Sequence, residues 1–416
     1  MKQSLRTAST LSIAALIAVL APACVLSLGG CRDRASGADG GVAPVPRAAA
    51  IPDLEKPAPP PKRTFTIVAV GDIMLDRNVG KAIRSNGYQS ILAKVRDLTR
   101  SADIAFANLE CPLATSGAHS PGDCIFRADP ETIKVVLDGG FDIVSLANNH
   151  TLDAGAEALR NTLDVLEENS IAYCGARREK DKAWEPTYLT ADGYTIGFMG
   201  YTHLPSYVQG SWADVDDREV LAGQLASARQ NCDLLFVSVH WGQEYKTEPE
   251  AENVELAHFL VDNGADVVFG HHPHVLQGIE VYKNCPIFYS AGNFVFDQKD
   301  GERMESAMFS LTYSENYGWS IFAKPIYIPR SRMGPIFPEQ ERAEKIARRL
   351  ADMSQKLGTD VSLKHSKVWL NVRRPEPGQA AALDGTVQPS STSPIDEPAT
   401  DDVAPTNPTP ARETGQ

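Results

Sequence analysis

Three imidazoles crowd the segment Gly270-His271-His272-Pro273-His274, directly after the apolar run Ala265-Asp266-Val267-Val268-Phe269. That run reads as a buried strand. In an extended chain, residues two apart point the same way. His272 and His274 should therefore aim at one point, with His271 facing the other side. Neutral imidazole is a common metal ligand. Polar groups recur at four other apolar-run ends: Asp72, Glu110, Asn149 with His150, and His240. This mixed set of carboxylate, amide and imidazole suits one or two divalent cations, Mn, Fe or Zn rather than Ca or Mg. A pair of such cations acidifies water and clamps a phosphoryl oxygen. Each residue also has a plainer reading. Asp72 could cap a helix, Glu110 could be a surface acid, Asn148 and Asn149 could form a turn, and His240 could be a satisfied core histidine. The recurrence at successive strand ends favours a shared site. His119, His203, His258 and His365 lack that setting.

The elements that carry these residues alternate. Strands read at Phe65–Val70, Ala102–Ala107, Phe141–Ala147, Tyr194–Gly200, Leu234–Val239, Asp266–Phe269 and Pro286–Tyr289. Helical patterns read at Tyr88–Leu98, Pro130–Leu137, Asp153–Glu168, Asp217–Asn231 and Glu250–Asn263, with Asp153 a plausible N-cap. Strand–helix alternation with apolar strands gives an α/β architecture with buried sheets. Such proteins build their sites at strand ends. From Gly301 the pattern changes to hairpin strands at Ser306–Tyr313 and Trp319–Tyr327, an amphipathic helix at Glu339–Leu357 and a last strand at Val368–Val372. Residues 301–373 read as a C-terminal completion of the domain at 64–300.

The chain has 416 residues and a formal net charge of −13 with no offsetting basic block, which argues against a nucleic-acid partner. Lys2 and Arg6 precede a largely apolar stretch to Leu28, and Leu28-Gly29-Gly30-Cys31 places small residues before a cysteine. Residues 1–30 read as a lipoprotein-type signal, with Cys31 lipidated and the protein anchored at the cell envelope, at an outer membrane or the cell surface. An uncleaved anchor or simple secretion would export the chain equally. Residues 31–63 and 374–416 are Pro-rich and read as a disordered tether and tail. In an oxidising compartment Cys111 and Cys124 are the candidate disulfide, since they bracket a Gly/Ser/Pro-containing loop.

Six motifs in order carry a resemblance: Val70-Gly71-Asp72-Ile73-Met74-Leu75, Asn108-Leu109-Glu110-Cys111-Pro112-Leu113, Leu146-Ala147-Asn148-Asn149-His150, His240-Trp241-Gly242-Gln243-Glu244-Tyr245, Gly270 to His274, and Tyr289-Ser290-Ala291-Gly292-Asn293-Phe294. Over roughly residues 65–300 the chain resembles the CapA family, linked to poly-γ-glutamate capsule synthesis, within the calcineurin-like metallophosphoesterase superfamily. The resemblance implies a four-layer α/β/β/α sandwich with a dinuclear site. It makes Asp72 the first metal aspartate, also needed for catalysis, Asn149 the metal asparagine, and His240, His272 and His274 the later metal histidines. It makes His150 a catalytic general acid, which Asp153 could orient. Two positions depart from the superfamily pattern. Met74 stands where an Asp-x-His pair has histidine, and Asn108-Leu109-Glu110 stands where a bridging aspartate follows glycine.

The resemblance implies an envelope protein that makes, exports or anchors an anionic polymer such as poly-γ-glutamate, with capsule polymerase or export subunits as partners. A polymer-binding scaffold without turnover and an envelope metallophosphoesterase are the alternatives.

Overall fold

A computed structural model describes residues 63–372, apart from 121, 123, 205–209 and 215–216. The signal segment, the C-terminal tail and all of the tether except Arg63 lie outside the described residues. The strands are β1 (Thr64–Ile73), β2 (Ile104–Leu109), β3 (Ile143–Ser145), β4 (Ala172–Cys174), β5 (Thr187–Ala191), β6 (Tyr194–His203), β7 (Leu234–Trp241), β8 (Val267–His271), β9 (Ile279–Tyr282), β10 (Cys285–Phe288), β11 (Asn293–Val295), β12 (Glu305–Ser314), β13 (Gly318–Tyr327), β14 (Ser362–Lys364) and β15 (Lys367–Val372). The helices are α1 (Arg77–Asn86), α2 (Gln89–Leu92), α3 (Arg96–Arg100), α4 (Ile133–Gly139), α5 (Ala156–Glu168), α6 (Arg218–Arg229), α7 (Ala251–Asp262) and α8 (Gln340–Lys356).

The strands form two sheets. One runs β14-β15-β13-β12-β1-β2-β3-β4, with β11 beside the end of β1, and the other runs β5-β6-β7-β8-β10-β9. Alternation along β1 shows why the sheets stack. Phe65, Ile67 and Ala69 join a core that also holds Phe198, Phe236, Phe269 and Phe309, drawn from both sheets. Val68 and Val70 face the opposite way, into a second core with Leu92, Val136, Leu159 and Leu163 of the helices. On β7, Leu234 and Phe236 face the first core, while Leu235, Val237 and Val239 pack against Leu225 of α6 and Leu256 and Leu260 of α7. With both faces buried, such strands read as continuous apolar runs. The outcome is a four-layer α/β/β/α sandwich. Each fully buried phenylalanine between the sheets contributes about 1.5–3 kcal/mol relative to exposure.

β12 pairs antiparallel with β1 from Thr64↔Ser314 to Ala69↔Phe309, and β13 and β15 follow it in the same sheet. Helix α8 sends Ile346 and Leu350 into the inter-sheet core. The sequence reading differs at two helices. The helix read at Tyr88–Leu98 is split into α2 and α3 by a turn at 93–95, and a helix not expected precedes it: Gly87, with φ of 80°, closes α1. Its polar sequence buries only Val79 and Gly80, so apolar periodicity is weak there. Helix α5 begins at Ala156 after Gly155, and Asp153 caps nothing because its carboxylate is engaged elsewhere, as described below.

Candidate metal centre

The inner faces of the strands change from apolar to polar at one end of the sandwich. On β2 the inward series is Ile104, Phe106, Asn108, with Glu110 just past the strand. On β7 it is Leu234, Phe236, Ser238, His240, and on β8 Val267, Phe269, His271. Asp72 enters from β1, where a register shift after Ala69 pairs it with Asn108 of β2 and Asn293 of β11. Gly71 is required here. A Cβ at that position would lie 1.8 Å from the Gly292 carbonyl oxygen. Gly270 is equally constrained, with the Tyr289 carbonyl oxygen 2.1 Å from where a Cβ would stand.

Asp72 Oδ1 accepts hydrogen bonds from His271 Nδ1 and Asn108 Nδ2, both at 2.9 Å. Its Oδ2 lies 3.3 Å from His274 Nδ1. Asn108 Nδ2 also reaches Glu110 Oε2 at 3.1 Å, so one amide bridges the two carboxylates. Asn148 Nδ2 donates to Asn108 Oδ1 at 3.0 Å and fixes that amide's orientation. His240 Nε2 is 2.8 Å from Asn149 Oδ1 and 3.1 Å from His272 Nδ1. His274 Nδ1 donates to Asn293 Oδ1 at 2.9 Å, and Asn293 Nδ2 donates in turn to the His274 and Arg303 carbonyls. This arrangement leaves His274 Nε2 facing Glu110 Oε1 at 3.5 Å.

Two groups of side chains offer ligand atoms within 4.8 Å of one another: Asp72, Glu110 and His240, and Glu244, His272 and His274. Asn149 borders the first through His240. Among the described residues, the buried atoms Asp72 Oδ2, Glu110 Oε1 and His271 Nε2 have no hydrogen-bond partner. Leaving such atoms unpaired is costly, about 1–3 kcal/mol each and more for charged groups. With Nδ1 donating to Asp72, neutral His271 keeps a free lone pair on Nε2. Oxygen and imidazole donors with open lone pairs fit a divalent cation.

The electrostatics are sharply divided. Burial raises the Asp72 carboxyl, but His271 and His274 outweigh it and hold the group well below the usual carboxylate range. Burial and the neighbouring Asp72 charge push Glu110 well above that range. Burial draws His274 down, yet Asp72 more than compensates and raises it. Burial and the adjacent His272 hold His240 well below the ordinary imidazole value, and burial with His274 takes His272 down to about 4.

His150 sits at the open side of the cluster. It is 8% exposed, against 0–3% for Asp72, Glu110, His240, His271, His272 and His274, and it shares that rim with half-buried Asn149 and exposed Glu244. Its Nδ1 donates to Asp153 Oδ2 at 2.8 Å, its ring stacks on Phe126 at 4.2 Å, and its Nε2 lies 3.9 Å from Glu110 Oε1. Asp153 Oδ2 also accepts from the Phe126 amide at 2.7 Å, which accounts for its not capping α5.

The geometry brings together every candidate residue from the sequence: Asp72, Glu110, Asn149, His150, His240, His272 and His274. It corrects two expectations. His271 faces inward, because simple alternation along β8 continues through it, whereas His272 and His274 have φ of 95° and 57°. Those left-handed residues break the extended geometry that the alternation argument assumed. Cys111 and Cys124 are both free thiols. Cys111 is buried and accepts from the Leu75 amide, while Cys124 is exposed near Arg77. Sequence reasoning missed Asn108, Glu244 and Asn293. For Asn108 the inward alternation of β2 was the available signal. Asn293 and Glu244 stood inside quoted motifs, but no periodicity distinguishes a loop ligand.

Residues 66–298 match the family model described as "Bacterial capsule synthesis protein PGA_cap". The chain belongs to this PGA_cap family. It is 31% identical over 289 residues to the PGA biosynthesis protein CapA of Bacillus subtilis (strain 168), covering 68% of this chain and 76% of that one. It is 31% identical over 287 residues to the capsule biosynthesis protein CapA of Bacillus anthracis, covering 65% of this chain and 69% of that one. A protein of Mycobacterium tuberculosis (strain ATCC 25618 / H37Rv), named probable polyglutamine synthesis accessory protein, is 26% identical over 256 residues, covering 56% of this chain and 67% of that one. The region matched to PGA_cap contains all of the candidate ligands. Met74, in this PGA_cap chain, is fully buried in the helix-side core and its sulfur accepts from the Asp76 amide at 3.1 Å, so it faces away from the cluster.

Proposed function

We propose that the chain acts in the synthesis, export or anchoring of poly-γ-glutamate at the cell envelope and carries a metal-dependent hydrolase-type site. Membership of the PGA_cap family and the names of its relatives support the polymer. The observation that carries the hydrolase reading is the placement of two ligand groups beside the His150–Asp153 pair. Asp72, Glu110, His240 and Asn149 would hold one cation, and Glu244, His272 and His274 a second. A bound cation supplies Lewis-acid polarisation of the oxygen at the scissile group.

The chain's own residues supply the proton handling. In the described arrangement His150 Nε2 accepts from Asn149 Nδ2 at 3.1 Å, so it has a lone pair to take a proton. Protonated there, it delivers that proton to a leaving group at the open side. Asp153 holds Nδ1–H and so fixes which nitrogen exchanges the proton. Stacking on Phe126 restricts the ring's rotation.

Polymer binding without turnover is the second reading, and Met74 favours it. That position supplies no ligand to the cluster, whereas the superfamily pattern has histidine there. The boundaries at 31, 64 and 374 and a lipid anchor on Cys31 belong to the same proposal. No helix among the described residues is long and apolar enough to cross a membrane. Cys31→Ser should abolish lipid labelling.

The deciding experiment is metal analysis of purified protein followed by assays on γ-glutamyl polymer and on phosphoesters. Bound Mn, Fe or Zn with turnover supports the hydrolase. Loaded protein that hydrolyses neither substrate leaves the binding reading.

A further inference from the structure

A cleft of about 660 Å³ opens beside the metal-ligand cluster, lined by α1 and by the chain following β11. Its side chains include five cationic residues and three carboxylates, in a chain whose net charge is −13. The carboxylates are already engaged. Asp297 pairs with Arg77, Asp300 pairs with Arg303, and Asp76 accepts from His119 Nε2 at 2.9 Å and the Arg127 amide at 3.0 Å. Lys81, Arg84 and Lys299 are exposed and form no ion pair among the described residues. Arg77, Lys81 and Arg84 repeat at four- and three-residue spacing, which puts their charges along one face of α1.

Aromatic rings lie between the cleft and the cluster. Arg77 lies 4.7 Å above the Phe126 ring, which stacks on His150. Arg303 lies 4.7 Å above the Tyr245 ring, whose centroid is 6.3 Å from that of His274. A ligand in the cleft therefore rests against Arg77 and Tyr245, the first separated from the His150 imidazole by the Phe126 ring and the second beside the His274 imidazole. The volume suits a short stretch of polymer rather than a single ion.

We infer that this cleft is a subsite for successive carboxylates of a linear polycarboxylate chain, with Lys81, Arg84 and Lys299 as its carboxylate-binding residues. The inference deepens the proposed function and rests on it for the choice of polymer. Exposed ion pairs are individually weak and screened by salt. The site therefore holds a polymer by repetition, which leaves the chain free to advance past the cluster.

The test uses fluorescently labelled γ-glutamyl oligomers and polyphosphate of equal length, with binding to the full chain followed by anisotropy across a salt series. The variants are Lys81→Glu/Arg84→Glu/Lys299→Glu and its triple alanine counterpart. The charge-reversed protein should bind the γ-glutamyl oligomer at least about tenfold more weakly, as loss of three modest pairs implies. It should also show a shallower salt dependence, with metal content and Tm unchanged. The alanine variant should fall between, and it serves alone should the reversed variant not fold. Affinity equal to wild type in either folded variant, tighter binding of polyphosphate, or no oligomer binding by wild type would each overturn the inference. Hydrolysis of a short γ-glutamyl peptide by wild type separates the two claims. Turnover with unaffected variant binding removes the cleft and keeps the hydrolase. Variant-sensitive binding without any turnover keeps the cleft and removes the hydrolase.

Discussion

Asp72 and His271 stand 199 positions apart in sequence, yet His271 Nδ1 donates to Asp72 Oδ1 at 2.9 Å with both side chains buried. The bond fixes the carboxylate and leaves His271 Nε2 open toward the cluster. His271→Ala should lower metal affinity by at least about 10–100-fold, the range found when groups that orient ligands are removed. Asp72→Ala should lose metal altogether. Elemental analysis after dialysis against buffered metal checks both, and a His271→Ala protein with full occupancy would refute the role.

His150→Ala should reduce turnover by about 10²–10⁴-fold, as for loss of a general acid, while metal content stays near wild type. Asp153→Asn should give a smaller loss, because the asparagine oxygen still accepts from the Phe126 amide but no longer carries the charge that stabilises the imidazolium. Parallel measurement of kcat and bound metal separates this from ligand loss.

Metal uptake should be coupled to proton release. Glu110 and His274 both bind protons more tightly in the folded cluster than free side chains do, the first through burial and Asp72, the second through Asp72. A cation at these atoms must displace those protons, so affinity rises with pH. His272, held down to about 4, releases none near neutrality. Calorimetric titration in buffers of differing ionisation enthalpy reads the number released. Identical heats in all buffers at pH 6 would contradict this assignment.

The two cysteines nearest the site should react differently. Cys124 is exposed and should alkylate in the native protein. Cys111 is buried, and burial pushes its thiol far up, so it should alkylate only after denaturation. Peptide mapping of labelled, non-reduced protein distinguishes this from a bridge.

The sandwich was legible because its central strands are apolar on both faces. Val68 and Val70 meet helices while Ile67 and Ala69 meet the other sheet, and that double burial produces the unbroken runs that mark strands. The site was legible where polarity interrupts such a run, as at Glu110 and at His240. His272 and His274 were legible as ligands, but side-chain direction was not: both leave the extended region, where direction follows φ rather than spacing, and the inward turn of His271 was hidden for that reason. Asp153 misled for another reason. An aspartate just before a helical pattern has the form of a cap, and only the folded chain shows that its carboxylate serves His150 and the Phe126 amide instead.

The placement of β12 beside β1 has a bearing on how the protein is made. Every candidate ligand precedes or is His274 in the chain, and the amide that orients His274 follows at Asn293. Yet the strand that carries Asp72 still lacks its antiparallel neighbour until residues 305–314 have been synthesised. A nascent or truncated chain ending near Val295 thus holds the complete set of donor atoms without a stable frame for them. Any cation the cluster takes up would therefore be captured late, by a chain finished through its C-terminal hairpin.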